Sequence, residues 1–358
     1  MPSKYNRVYL TALGYELGPE VVTSAELEER LAPVYRKLNI HPGQLEAWTG
    51  IAERRWWHPD TRLSAGATAA ARKAMAKTSV QATDLGMVIY AGVCRENFEP
   101  ATACAVADAL GVKGSASVYD LSNACLGVLN GMLEIANRIE LGQIRAGLVV
   151  SCETAREINE IMLARLVAEA RNGMTMDRFA DAVATFTGGS GAVAMLLTDG
   201  SFASTAGGGK TGHRLLGAVS QVAPEHHRLC RWGLEASDGL QHVQYMSTDS
   251  VSVLKYGVQL GQQTWQEFLK ELGWTASQVD RVICHQVGSG HQDAILKSLQ
   301  VPKEKDYVTY RFLGNMGTAA LPVTAAIAEE RGVLKTGQRV AFLGIGSGLT
   351  CLMVGLEW

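Results

Sequence analysis

A cysteine at position 125 lies between a strand-like run ending in Val118-Tyr119 and an apolar pattern at helical spacing: Leu126, Val128, Leu129, Met132, Leu133, Ala136 and Ile139. A thiol at a helix start feels the positive end of the macrodipole, which favours thiolate over thiol and is one way to activate a nucleophile. A lone cysteine is more often a buried structural residue, because free Cys packs as a small hydrophobe. Two other segments supply what a nucleophile needs. Val282–Gly288 is an apolar run that delivers His285 at its C-terminal end, and Phe312–Ala320 is a Gly314-Asn315 turn that opens a small-residue helix. A nucleophilic Cys needs a base or cation nearby, and a His is often steadied by an amide. Taken singly, His285 reads as a satisfied structural histidine and Asn315 as a turn residue tolerant of left-handed backbone. The combination is what is specific.

The order of elements gives a reason for the three to meet. From Cys125 the chain runs through a helix to Leu141–Arg145 and a strand, Ala146–Ser151; from Asn315 it runs through a helix to Lys335–Arg339 and a strand, Val340–Gly344. Upstream, Met87–Val93 matches Val282–Gly288 in pattern. The two halves thus repeat one element order. Cys125 and Asn315 occupy equivalent helix starts, and a pseudo-twofold arrangement of the halves would gather both with His285 at their interface.

The motifs Thr49-Gly50-Ile51 with Arg54-Arg55, Asn123-Ala124-Cys125-Leu126-Gly127, His285-Gln286, Gly314-Asn315 and Gly344–Thr350 follow in this order. Over nearly all 358 residues the chain resembles the β-ketoacyl-acyl-carrier-protein synthase III family of the thiolase superfamily. The resemblance implies an α/β thiolase fold of five layers, α-β-α-β-α, built from two duplicated halves. One half, 1–198, carries the nucleophile; the other, 199–358, carries the His and Asn. It also implies a homodimer. Cys125 would form an acyl-enzyme with a fatty acyl thioester, the backbone N–H groups of Cys125 and Ser347 would hold the oxyanion, and His285 and Asn315 would stabilise the enolate of a second thioester. The resemblance implies no cofactor; acyl-CoA would be the substrate, with malonyl-acyl carrier protein as a candidate second substrate and partner.

The main reading is a decarboxylating synthase III that condenses the acyl group with a malonyl unit in fatty acid or lipid metabolism. An alternative is head-to-head condensation of two acyl-CoA molecules, as in the OleA branch, where a carboxylate reaching across the dimer removes the α-proton. Glu99, before Pro100 in Cys94–Thr102, stands at the matching position, where synthase III proteins usually carry an aromatic residue. Ser347 in place of a glycine, Trp48 in place of an arginine, Gly290 in place of a basic residue, and the cap-like insert Glu157–Phe186 lean the same way. A third alternative passes the acyl group to an oxygen or nitrogen nucleophile of a secondary metabolite.

Substrate contacts are expected from Arg54 beside Trp56-Trp57, from Trp48, from Arg231-Trp232 after His226-His227-Arg228, and from Lys255, pairing with phosphate or stacking on adenine. Met162, Leu163, Leu166, Val167 and Met174 could line an acyl tunnel or form one core-facing side. A net charge of −2 offers nothing to nucleic acid. Seven scattered cysteines without metal-like spacing fit a reducing compartment and no zinc site, and His285 and His291 lack an HExxH pattern. Neither a leader-like N-terminus nor an 18-residue apolar span is present, so a cytoplasmic protein without a membrane span is expected. Gly344–Gly348 looks like a dinucleotide loop, but a strand pattern follows it instead of a helix.

Overall fold

A computed structural model of the chain describes residues 2–203, 212–236 and 242–358. Of the connection expected over Asp199–Gly212, residues 204–211 lie outside the described residues. The first half runs β1 (Pro2–Lys4), β2 (Tyr9–Leu17), β3 (Glu20–Thr23), α1 (Ser24–Arg30), α2 (Ala32–Leu38), α3 (Gln44–Thr49), β4 (Glu53–Trp56) and α4 (Leu63–Met75). It continues with β5 (Leu85–Ala91), α5 (Thr102–Leu110), β6 (Ser117–Leu121), α6 (Gly127–Glu140), β7 (Ala146–Glu153), α7 (Arg156–Glu169), α8 (Met176–Val183) and β8 (Gly191–Thr198). The second half comprises β9 (His213–Val222), β10 (Cys230–Ala236), β11 (His242–Thr248), α9 (Ser250–Leu272), β12 (Arg281–Cys284) and α10 (Ser289–Leu299). It ends with α11 (Tyr310–Leu313), α12 (Ala320–Glu330), β13 (Arg339–Gly346) and β14 (Thr350–Glu357).

The duplication read from the sequence is visible in the strand pairing. In the first half β5 runs parallel to β7, β7 antiparallel to β8, and β8 antiparallel to β2. In the second, β12 runs parallel to β13, β13 antiparallel to β14, and β14 antiparallel to β9. The halves join where Tyr9 and Leu10 of β2 pair with Arg214 and His213 of β9. Helices cover both faces, so β7 and β8 are buried throughout and read as near-continuous Val, Leu and Ala runs, with no polar alternation.

Helices α6 and α12 form the central layer. Their core packs against both half-sheets: Met87, Ile89, Val149, Val193 and Met195 on one side, Ala218, Ile283, Val340, Phe342 and Leu352 on the other. Helices α4 and α5 cover the outer face of the first half-sheet, and α9 and α10 that of the second. The result is the five-layer α-β-α-β-α thiolase fold. The buried side of α6 carries Val128, Leu129, Met132, Ile135, Ala136 and Ile139, and each large side chain among them stabilises by roughly 1.5–3 kcal/mol. Close approach of α6 to β7 requires Gly131, because a Cβ there would meet Val149 Cγ2 at 2.7 Å. Among the described residues no helix is long and apolar enough to cross a membrane.

Candidate active site

Cys125 sits in the turn between β6 and α6, both of which the central core holds in place. Ala124 adopts a left-handed φ of 44°, strained for a residue with a Cβ, and the turn closes through Leu126 N–H to Asn123 O at 2.9 Å. Gly346, at the end of β13, lies against it: a Cβ there would be 3.4 Å from Cys125 N. Ser347 follows, so the two N–H groups expected to hold an oxyanion belong to neighbouring segments, and both residues line the same cavity.

The thiol itself departs from the sequence expectation. Burial pushes Cys125 up to about 12, with Cys230 and Glu153 nearby adding to the rise and its own backbone N–H opposing it. Cys125 precedes the first helical residue, Gly127, by two positions, and desolvation of the thiolate outweighs the helix-end field. The resting nucleophile is a neutral thiol.

His285 follows β12 directly and donates its N–H to Leu343 O at 3.0 Å, which fixes it beside β13. Burial, and then His291, lower its pKa to about 4, so the ring is neutral at physiological pH. Its Nδ1 is buried without a hydrogen-bond partner. Buried Gln286 is a clamp: its Nε2 donates to Cys284 O at 2.7 Å, and its Oε1 accepts the N–H groups of Thr309 and Tyr310 at 2.8 and 3.1 Å. This ties the histidine strand to the segment leading into Asn315.

Asn315 is held on three sides. Its N–H donates to Thr187 O at 2.8 Å, its carbonyl accepts Gly189 N–H at 2.9 Å, and its Oδ1 accepts Gly317 N–H at 3.1 Å. With Oδ1 occupied, the Nδ2 group is the donor left for a ligand. Thr318, one residue beyond that glycine, accepts the N–H of Val128 in the first turn of α6 at 2.7 Å.

Cys125, His285, Asn315 and Ser347 all line one cavity of about 430 Å³. Apolar side chains from two helices make up much of its lining. One side is Met176, Phe179, Ala180 and Val183 of α8 with Met246; the other is Val253, Leu254, Gly257 and Gly261 of α9 with Ile295. Among the described residues that line it there is no Asp, Glu, Lys or Arg. This is an apolar chamber with a thiol and two neutral hydrogen-bonding groups at its focus.

The expected substrate contacts fare differently. Trp48 lines the cavity, is 44% exposed, and meets Phe179 edge-on with centroids 6.4 Å apart. Arg54 is corrected: it is wholly buried, bonded to Val22 O, Ser24 Oγ and Phe186 O, with burial lowering its pKa to about 10. It cannot meet a phosphate, and it anchors the segment that accepts the Asn315 N–H. Arg231 is exposed and lies over the Tyr245 ring, Trp232 packs on the cap core and donates to Gln244 Oε1, and Lys255 is exposed over Tyr256. None of these three lines the cavity; from their hairpin Cys230, Met246 and Thr248 do so.

Of the two readings of Met162, Leu163, Leu166, Val167 and Met174, the core-facing side is the one observed. Met162, Leu163, Leu166 and Met174 are buried against Leu27, Leu31, Tyr35 and Trp56, with Val167 packed alongside; the cap reaches the cavity through α8. The small residues of α9, Gly257 and Gly261 at i, i+4, went unread in the sequence, although their spacing signals a close helical face.

Glu99 is exposed and absent from the cavity of its own chain. Its loop is anchored at both ends. Glu96 accepts the N–H and hydroxyl of Ser64 at 2.7 Å each, and Asp120 accepts the N–H groups of Thr102 and Ala103 at 2.9 Å each. Between these anchors Phe98, 97% exposed, and Glu99 project outward.

A cysteine at a helix start, a neutral His and an oriented Asn around one chamber, on a duplicated five-layer fold, define a thiolase-fold condensing enzyme. Comparison with known proteins agrees. Residues 269–358 match the family described as 3-oxoacyl-[acyl-carrier-protein (ACP)] synthase III C terminal. The chain is 54% identical over 355 residues to an acyl-CoA:acyl-CoA alkyltransferase of Shewanella oneidensis, covering 99% of this chain and 100% of that protein. It is 34% identical to the enzyme of that name from Xanthomonas campestris, covering 99% of each, and 28% identical to a β-ketoacyl-[acyl-carrier-protein] synthase III of Natranaerobius thermophilus, covering 98% of each. The crystal structure of cerulenin-bound Xanthomonas campestris OleA matches with a TM-score of 0.90 at 34% identity, over 99% of this chain and 98% of that one. A structure of the same protein with bound lauric acid and lauroyl-CoA matches with a TM-score of 0.88 at 33% identity, over 99% and 100%. The chain belongs to the synthase III-like family of the thiolase superfamily, in the group of the acyl-CoA:acyl-CoA alkyltransferases. It is a Claisen-condensing transferase.

Proposed function

We propose that the protein joins two fatty acyl-CoA molecules head to head, without decarboxylation, to a β-ketoacyl-CoA. Neutral Cys125 attacks the first thioester, and its thiol proton passes to the departing CoA sulfur. The new S–C bond displaces CoA, which leaves as the thiol after protonation, and the oxyanion is held by the N–H groups of Cys125 and Ser347. One such donor is worth ~10²–10³ in rate. The second acyl-CoA places its carbonyl oxygen against His285 and Asn315 Nδ2. Glu99 of a second copy takes its α-proton, and the resulting enolate is held by neutral donors. The enolate carbon attacks the acyl-Cys carbonyl, the S–C bond breaks, and the proton held by Glu99 returns to the Cys125 sulfur, regenerating the neutral thiol.

The observation that carries this reading over malonyl-dependent synthesis is the whole-length 54% identity to an acyl-CoA:acyl-CoA alkyltransferase. The structure supplies a second support. The cavity has no carboxylate of its own among the described residues, while Glu99 projects from an anchored loop beside a nearly fully exposed phenylalanine. That placement suits a base delivered into the cavity of a second copy of the chain, in a homodimer. The malonyl reading, which led from the sequence alone, takes second place, and no observation favours transfer to an oxygen or nitrogen nucleophile. Acyl-CoA is accordingly the substrate for both steps, with no acyl carrier protein required.

Mass spectrometry of products from decanoyl-CoA alone tests the reading. A β-keto product or its decarboxylated ketone is expected, together with its loss in Glu99→Gln. A product that appears only when a malonyl donor is added, extended by two carbons, would overturn it.

A further inference from the structure

Glu153 ends β7 and is 3% exposed, a buried carboxylate with no cationic partner among its contacts. An unpaired charge in such a place is costly unless hydrogen bonds offset it. Its partners are all N–H or S–H groups of other segments. Val93 N–H donates to Oε1 at 3.0 Å and Cys94 N–H to Oε2 at 3.1 Å; the Cys94 thiol and the Thr318 N–H also interact with it. Burial raises its pKa, and these donors pull it back down.

The two segments it touches, Val93-Cys94 and Gly317-Thr318, are ones on which the proposed chemistry depends. Val93 and Cys94 are the root of the loop that presents Glu99. Thr318 caps the first turn of α6 through Val128, two residues after the helix-start turn of Cys125. Gly317, with φ of 54°, lies directly over the carboxylate: a Cβ there would be 3.2 Å from Oε1. Gly317 is also the residue whose N–H holds Asn315 Oδ1. Around Glu153 stand Tyr90 and Cys152 of its own half, Cys94, and Cys125. No side chain in this set could replace its acceptor role.

We propose that Glu153 is a positioning residue that locks the Asn315 turn, the cap of the nucleophile helix and the root of the Glu99 loop into one unit, and so acts on condensation through Asn315. The proposal rests on the assignment of Asn315 as the donor to the second thioester. Glu153→Gln keeps the volume but sets an amide N–H₂ against N–H donors, so the turn must shift. Three quantities are read on the full-length protein: acylation of Cys125 by decanoyl-CoA in a single turnover by intact mass, condensation in the steady state, and the pH dependence of Cys125 alkylation.

Acylation should stay within about threefold of the parent while condensation falls about tenfold or more, less than loss of a whole transition-state donor would cost. Alkylation at pH 8 should rise, because Glu153 is among the groups that hold the Cys125 thiol up. Condensation within threefold of the parent, or acylation and condensation falling in step, would overturn the proposal. Should Glu153→Gln fail to fold, Gly317→Ala, which drives a methyl onto the same carboxylate from the other side, is judged by the same ratio. Both donors, decanoyl-CoA alone and with malonyl-CoA, are run on parent and variant. A parent that condenses only with malonyl-CoA refutes head-to-head chemistry, and the acylation-to-condensation ratio then still tests Glu153 with that donor.

Discussion

The ionisation state of Cys125 is the sharpest physical consequence of the site. In many thiol enzymes the nucleophile rests as a thiolate beside an imidazolium; here burial holds the thiol near 12 and the imidazole near 4, so neither is charged at neutral pH. A thiol titrating near 12 is ~10⁻⁴ ionised at pH 8 and ~10⁻² at pH 10, about a hundredfold rise over two pH units. An unperturbed cysteine near 8.5 would rise only about fourfold over the same span and level off. The perturbation is a pH series from about 6.5 to about 10, chosen because alkylation follows the thiolate, applied to the parent and to His285→Ala. The assay is the rate of iodoacetamide alkylation of the Cys125 peptide by mass spectrometry. The log of the rate should climb close to one unit per pH unit without a plateau. His285 is already neutral throughout this window, since its pKa is lowered, so its removal should change the rate by less than about threefold. A plateau below pH 9, or a loss of tenfold or more in His285→Ala, would show a thiolate–imidazolium pair and refute the reasoning.

Other expectations follow from the same geometry. Asn315→Ala and His285→Ala should each accumulate acyl-Cys125 yet lose condensation by ~10²-fold or more, measured as intact mass against product formation; loss of acylation as well would mean that they serve the first step. Cys125→Ala should show no covalent adduct at all. Gly261→Leu should fill the α9 side of the chamber, against Ile295, and shift the accepted chain to shorter acyl-CoA, read from kcat/KM across a chain-length series; an unchanged series would mean the α9 wall is not the chain's resting place. Arg54→Ala orphans the acceptors at Phe186 O and Ser24 Oγ and should destabilise the fold by ~1–3 kcal/mol or more in denaturant melts, where a phosphate contact would instead raise KM with stability unchanged.

The sequence by itself determined the reacting groups and the frame that carries them. Cys125, His285 and Asn315 were legible because each ends or starts a periodic element. The repeat of helix-then-strand after Cys125 and after Asn315 carried the duplication, which the matching β5-β7-β8-β2 and β12-β13-β14-β9 pairings display. Period and order are local properties, and they survive in a one-dimensional string. What burial does to those groups is not local. The thiol favoured as thiolate by its helix start became a neutral thiol once the chamber closed over it, because desolvation depends on every layer around it. Arg54, read as a phosphate ligand from its charge and its tryptophan neighbours, turned inward because Val22 O of β3, Ser24 Oγ of α1 and Phe186 O meet it there as acceptors. Met162 and Leu166 face the core while Phe179 and Val183 face the cavity, a choice set by how the two cap helices cross the first half. Nothing in the sequence singled out Glu153, two residues past the apolar run Ala146–Ser151. Only the tertiary structure brings Val93, Cys94, Gly317 and Thr318 around its carboxylate, since those partners lie as far as 165 residues away along the chain (318 − 153) and meet through packing alone.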